Sequence, residues 1–417
     1  MNLPHVRPVP LALAFTLAFA GCIDAAHAQS AAALRLLPAT STDQVVARVL
    51  APAPGQLATS DLDRAPANLS WPLDPDATLD ARPRPYTQES QEYWIDAGES
   101  ALQHGVTLPL SAAGAVIRLS PHASNPGARI EARDIELRAP GPQLHAGVLM
   151  QALADEDALR EAGMDVPAGS VAFRLDPAFL APHVELAVPA AHGAWLVHVY
   201  EPHSKIVLAL AAARDGIAAG EGVRVHARFP AGVATASIGG LLSSPDGHSQ
   251  PVEFLPDASG GHSAWVVPDP SHAGARGLWE VHAFAQASQP GVPRDARTSF
   301  SVSMPVARLD GRVERVRTTV RSHPLMLRFG IEAAAASRYQ LSAVLYGHAA
   351  DGSAHPTAIA QSAAWLEAGR GSVDLAFDVP SLSVAGLGPP WELRDLRLIN
   401  QADLGLLERR ERALVLP

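Results

Sequence analysis

Val223-Arg224-Val225-His226-Ala227-Arg228-Phe229 is the stretch whose reading decides the fold class. Val223, Val225, Ala227 and Phe229 recur at every second position, with Arg224, His226 and Arg228 between them, and a period of two sends the two sets to opposite faces of a β-strand. An amphipathic helix would need its apolar residues three and four apart. Outward from this stretch, apolar runs at Ile238 to Leu242, Val252 to Leu255, Ala264 to Val267, Leu278 to Ala285 and Thr298 to Val302 are separated by turn signals such as Ser244-Pro245-Asp246-Gly247 and Gly260-Gly261. This spacing predicts an immunoglobulin-like β-sandwich over residues 214–304.

The same alternation continues on both sides. Leu325, Leu327, Phe329 and Ile331, then Leu341, Ala343 and Leu345, then Val373, Leu375, Phe377 and Val379 predict a C-terminal β-sandwich over 305–417. Between Leu393 and Leu396 the apolar phase slips by one residue, which a β-bulge accommodates. Towards the N-terminus, Ala115 to Leu119, Val171 to Leu175, Val184 to Val188, Trp195 to Glu201 and Lys205 to Leu210 read as strands of an N-terminal β-rich domain over 86–213. One helix is expected there, because Asp155, Glu156 and Asp157 supply an acidic first turn and Gly163 a stop. Residues 29–85 carry Pro38, Pro52, Pro54, Pro66, Pro72, Pro75, Pro83 and Pro85. That density predicts a Pro-rich arm or linker, extended along the first domain. The fold class is therefore mainly β, with tandem β-sandwich modules after an N-terminal β-rich domain.

A chain of 417 residues that is 47% hydrophobic and 18% charged has core material for two or three domains. The net charge of −10, with Lys205 the single lysine and no basic cluster, argues against a nucleic-acid partner. Residues 1–28 read as a signal peptide: Arg7, an apolar run from Val9 to Gly21, and Ala26-His27-Ala28 before the cleavage point. A second reading is a lipobox, Phe19-Ala20-Gly21-Cys22, with Cys22 lipidated and retained. The protein is expected to be exported, periplasmic or secreted, or alternatively an outer-membrane lipoprotein. Cys22 is the one cysteine, so no disulfide, thiolate nucleophile or Cys-ligated metal is expected. After residue 30 no apolar run reaches the ~20 residues of a membrane helix, and no transmembrane span is expected.

Gly277-Leu278-Trp279-Glu280-Val281-His282, Arg294-Asp295-Ala296-Arg297-Thr298-Ser299-Phe300, Arg338-Tyr339 through Tyr346-Gly347, Glu392-Leu393-Arg394-Asp395-Leu396-Arg397-Leu398 and Leu196-Val197-His198-Val199-Tyr200-Glu201-Pro202 carry a resemblance. In these segments the chain resembles the bacterial domain-of-unknown-function family 4785 (DUF4785). The resemblance implies an exported, multi-module, β-rich protein and supplies no catalytic residue.

The candidate ligand-binding residues are His198, Tyr200, Glu201 and His203, near the boundary between the first domain and the sandwich. They combine two imidazoles, a phenol and a carboxylate, with His198 and Tyr200 on one strand face and Glu201 on the other. A metal reading of His192, His198, His203 and Glu201 lacks helical zinc spacing, and Asp74, Asp76 and Asp80 lack the order of a calcium loop. Ser263 in Gly261-His262-Ser263-Ala264-Trp265 lacks the closing glycine of a nucleophile elbow. No catalytic residue and no cofactor is expected. Trp195, Trp265, Trp279, Trp365 and Trp391 are expected in cores, and Glu408-Arg409-Arg410-Glu411-Arg412 on a solvated face. The functional expectation is a non-enzymatic binding or interaction protein whose partner is a protein or polysaccharide of the envelope or extracellular space. The alternative is a hydrolase or protease accessory factor with its site in the N-terminal domain.

Overall fold

The computed structural model describes residues 34–80, 86–125, 129–140, 149–179, 181–272, 277–317, 325–378, 382 and 386–417. The signal-peptide and Cys22 readings lie outside them. The described strands form six sheets, antiparallel except where Gly216–Ala218 runs beside Pro293–Ser303. No described helix is long and apolar enough to cross a membrane.

In the first domain a five-stranded sheet, in the order Glu92–Ala97, Trp195–Tyr200, Val116–Pro121, Val171–Leu175 and Met150–Ala154, shares a core with three strands, Val106–Pro109, His183–Ala187 and Glu136–Arg138. The expected helix spans Glu156–Glu161. Asp155 caps it by accepting from the Ala158 N–H, and Gly163 follows in the left-handed conformation at φ 83. A second helix, Glu99–His104, was not expected; at six residues it is too short to print a helical period, and it buries only Leu102.

The middle sandwich pairs one sheet (Leu255–Pro256, His262–Val266, Val223–Arg228, Leu208–Ala212, Gln88–Ser90) with another (Gly216–Ala218, Pro293–Ser303, Trp279–Ala287, Thr235–Ser243, Ser249–Val252). Val223, Val225 and Ala227 are buried while Arg224, His226 and Arg228 are exposed, as their alternation requires. One expectation is corrected here. The run at Lys205 to Leu210 was placed in the first domain, yet its strand, Leu208–Ala212, pairs with Val223–Arg228 and Gln88–Ser90. Its Leu208, Leu210 and Ala212 enter the middle core. A period of two reports which face is apolar and does not report which sheet that face covers.

The C-terminal sandwich sets Leu34–Arg35, Ala307–Val316, Leu325–Ala333 and Gly369–Phe377 against Ala67–Pro72, Ala354–Leu366, Ser337–His348, Gly388–Asn400 and Gly405–Leu416. The bulge stands where the phase slips: Ser342 pairs with Arg397 but Val344 with Arg394, leaving one extra residue on the Gly388–Asn400 strand. Asp395 takes a left-handed φ of 48 there, and both Leu393 and Leu396 reach the core.

The arm is the second correction. It lies along the C-terminal sandwich and supplies two of its strands, with Leu34 opposite Val313 and Ala67–Pro72 paired to residues 358–363. Prolines are tolerated because the arm occupies edges and pairs only in short stretches. Val46 is buried in the C-terminal core. The third correction follows from the second, since the arm covers the charged run expected on a solvated face. Gln44 and Arg409 each donate a backbone N–H to the other's carbonyl at 2.9 Å, and Arg410 Nη1 donates to the Leu37 carbonyl at 2.9 Å. Glu408 is 2% exposed, and burial pushes its carboxyl up to about 7.

Candidate functional site

Trp195, Val197 and Val199 point into the first domain's core, so His198 and Tyr200 occupy the outer face of the sheet and Glu201 returns inward. Glu201 and Arg294 are both 0% exposed. Glu201 Oε1 accepts from the N–H groups of Ser111 and Ala112 at 2.6 and 2.8 Å. Its Oε2 accepts from Ser111 Oγ at 2.9 Å and from Arg294 Nη2, across the domain junction, at 2.6 Å. The guanidinium also donates through Nε to the Ile206 carbonyl at 2.7 Å, through Nη1 to the Pro293 carbonyl at 2.8 Å, and through Nη2 to Ser204 Oγ at 2.9 Å. Both ions can be buried because their lone pairs and protons are met by fixed partners.

Beside this pair, Asp295 Oδ2 accepts the Trp94 N–H at 2.8 Å, and burial pushes its carboxyl up to about 6. The Trp94 ring stacks on His198 at 4.8 Å, meets His282 edge-on at 5.9 Å, and has the Arg297 guanidinium 5.3 Å from its centroid. His198 Nε2 lies 2.8 Å from Glu92 Oε2. Burial, with Arg297 adding to it, pushes the His282 imidazole down to about 4.

The four sequence candidates therefore part company. Glu201 is locked in the interdomain ion pair and His198 in the Trp94 stack, while Tyr200 and His203 face solvent. The junction is a joint built of charge and aromatic contact. Among the described residues no three His, Cys, Asp or Glu side chains are placed to hold a metal ion. Asp74 instead accepts the Asp76 N–H at 2.9 Å within a turn. Ser263 sits mid-strand and accepts from Arg224 Nη1 at 3.2 Å. Trp195 and Trp279 are core residues, and Trp365 and Trp391 are partly buried. Trp265 overturns the core expectation, being 60% exposed. Arg294 went unnoticed in the sequence, although a signal was there: it falls in the inward phase of Ala296, Thr298 and Phe300.

The concave surfaces lie elsewhere, on the C-terminal sandwich where the arm folds over it. A cleft of about 470 Å³ opens between Thr42, Asp43 and Gln44 of the arm, Arg214 of the turn that joins Leu208–Ala212 to Gly216–Ala218 in the middle sandwich, and Arg397 and Arg409. A second, of about 370 Å³, is floored by Val344, Tyr346 and Ile359, walled by Leu73 and Leu79 of the arm, and rimmed by Arg394. The bulge separates them. Asp395 lines the second cleft while its carboxylate, 2.8 Å from Arg397 Nη2, holds an arginine of the first. Arg394 lies 4.4 Å over the Tyr346 ring and donates to Glu392 at 2.8 Å; Arg412 donates to Glu392 at 2.6 Å. Burial opposes ionisation of Glu392, yet these two guanidinium bonds hold its carboxyl below the usual range. An apolar floor with a few fixed polar groups is the physical make-up of a ligand cleft. Neither cleft was legible beforehand, because each needs the arm, and the arm was expected on another domain.

Fold and clefts together define a class: a β-modular protein of antiparallel sandwiches, its first two units pinned by a buried ion pair and its last completed by an N-terminal arm. Residues 58–201 match the model of the DUF4785 N-terminal domain and residues 310–417 that of the DUF4785 C-terminal domain, more than half of the chain between them. The chain belongs to the DUF4785 family, a family of unknown function. It is similar in structure to a DUF4785 family protein from Legionella pneumophila, with a TM-score of 0.69 and 20% identity over 91% of this chain and 98% of that one. No curated protein matches the chain.

Proposed function

We propose that this is an exported, non-enzymatic recognition protein that binds a protein or polysaccharide of the bacterial envelope or extracellular space. The observation that supports this reading best is the cleft of about 370 Å³ with Val344, Tyr346 and Ile359 as its floor. Of its charged lining, Asp80, Arg394, Asp395 and Glu411, the middle two hold its walls and Glu411 accepts from Thr42 Oγ1 at 3.0 Å. Arg394 is engaged by Glu392 and the Tyr346 ring, and Asp395 by Arg397, an arrangement suited to shape recognition. Next to this floor, Trp71 pairs with Ile359 and is 45% exposed, which extends the apolar surface beyond the cleft mouth.

The test is photo-crosslinked capture from the envelope of the source bacterium, comparing the wild-type chain with Ile359→Arg, whose long side chain fills the cleft. Capture lost at an unchanged thermal midpoint supports the reading, and equal capture by both proteins removes the cleft from it. Intact-mass measurement on native protein tests export. A chain beginning at Gln29 or at an acylated Cys22 is expected, and an unprocessed Met1 overturns export.

A further inference from the structure

A second apolar surface stands open on the middle sandwich, away from the cleft. Trp265 is 60% exposed, Leu255 59% and Val267 45%. Ala264 and Val266 of the same strand are buried, so Trp265 projects from the opposite, outer face, and Leu255, paired with Ser263, lies on that face too. The indole passes so close to Gly222 that a Cβ there would come within 2.5 Å of its ring atoms, so glycine permits the ring to rest against backbone. Arg224, the pairing partner of Trp265, holds its guanidinium 5.9 Å from the ring centroid and is steadied by the 3.2 Å bond to Ser263 Oγ. Further along the same face, His226, which pairs with Ser263, lies 3.6 Å from Asp257. A tryptophan this exposed, laid on backbone beside a guanidinium, is a contact surface without its contact.

Two features select the occupant. Addition of a peptide strand is disfavoured: Leu255–Pro256 already covers the edge opposite His262 and Ser263, Pro268 ends what is left, and the Val267 carbonyl accepts Gln250 Nε2 at 3.1 Å. The charge on this face, Arg224 and Arg228 with the His226–Asp257 pair, is mixed in sign, which matches neither a polyanion nor a polycation. A sugar ring fits both observations. Its C–H face is apolar and stacks on an indole, while its hydroxyls at the ring edge meet the Arg224 guanidinium beside the ring.

We propose that Trp265 is the stacking platform for a neutral polysaccharide. This site is separate from the cleft of the preceding section and sharpens its broader reading to one class of ligand. The test is affinity electrophoresis of the mature chain in native gels containing hydroxyethylcellulose, laminarin or dextran. The wild-type protein is expected to be retarded by at least one of the three. Trp265→Ala should weaken that retardation roughly tenfold, and Trp265→Phe should retain most of it. Because the ring is exposed, both variants should melt with the wild type. Gly222→Ala, which displaces the ring without removing it, should weaken retardation as well. Wild-type migration unchanged in all three gels, or equal retardation of Trp265→Ala, overturns the proposal. Envelope capture through the Ile359 cleft without any retardation would sink the saccharide site and leave the recognition reading standing.

Discussion

Glu201→Gln is the sharpest single perturbation of this molecule. It preserves shape and removes the one negative charge facing Arg294, in a place where both side chains are 0% exposed. Glu201 accepts four hydrogen bonds, from the Ser111 and Ala112 N–H groups, Ser111 Oγ and Arg294 Nη2. A glutamine keeps one acceptor oxygen and turns an NH₂ towards the remaining donors. Breaking a buried ion pair by removing one partner costs about 3 to 5 kcal/mol. The joint ties together two units that span roughly 200 residues, for which 1 kcal/mol moves the midpoint by about 2 to 4 °C, so the transition of these units should fall by roughly 10 °C. Arg294→Lys should fare no better, since one ammonium cannot reach Glu201, Ile206 and Pro293 at once. The double replacement Glu201→Met with Arg294→Met leaves no uncompensated charge and should recover most of the loss. Scanning calorimetry at pH 7 on the four proteins decides it. A Glu201→Gln midpoint within about 2 °C of wild type, or a double variant no more stable than Glu201→Gln, would refute the claim that this pair carries the junction.

Other outcomes follow from the arm and from the titrating groups of the joint. Residues 305–417 alone should give no cooperative melt by circular dichroism, and should regain one when residues 34–80 are supplied as a separate peptide, because Leu34, Val46 and Ala67–Pro72 belong to that sandwich. Val46→Asp in the full chain should cost about 3 kcal/mol by urea unfolding, the transfer of a buried valine plus the burial of a charge. Asp295 keeps its proton up to about 6 when folded, against 3.8 for a free aspartate side chain, so the wild type gains stability as pH falls from 6 to 4. Asp295→Asn lacks that gain, and the midpoint difference, wild type minus variant, should rise with acidification by the equivalent of about 3 kcal/mol at most. His282 has the opposite sign: its folded ring refuses a proton until about 4 while a free imidazole side chain accepts one at 6.5. The wild type therefore loses stability from pH 6.5 down to 4, and His282→Gln should flatten that loss. Midpoints of both variants measured from pH 4.5 to 7.5 should tilt in opposite directions, and parallel curves would overturn the assignment.

Alternation in this chain fixed faces and left partners open, and the difference is physical. Val223 to Phe229 could be read in isolation because the inward phase of a strand is a local property of the backbone. The slip at Leu393 and Leu396 was readable for the same reason, since two core residues out of phase require an extra residue between them. Which sheet receives a strand is decided by contacts between residues far apart in the chain, such as Leu34 with Val313 or Gln88 with Leu210, and no local period encodes those. The arm misled for a further reason: proline density forbids a central strand, yet an edge needs only short pairings, and edge placement is compatible with any domain.

Charged residues in an inward phase are the exception, and they show what a stricter reading of the sequence could have gained. Glu201 continues the phase of Trp195, Val197 and Val199, and Arg294 that of Ala296, Thr298 and Phe300. Each alone would be an unpaid ion in a core, at a cost of several kcal/mol unless a counter-charge or, for the acid, a retained proton neutralises it. An inward carboxylate that stays ionised therefore requires an inward cation somewhere in the chain. Glu201 and Arg294, one from each side of the junction, answer each other across 93 positions. The demand for a partner was local and visible, whereas the position of that partner belonged to the assembled fold. Exposed Trp265 runs the same logic in reverse: an indole left in solvent by a strand with an intact inner face has no cover among the described residues, which is what the proposed ligand would supply.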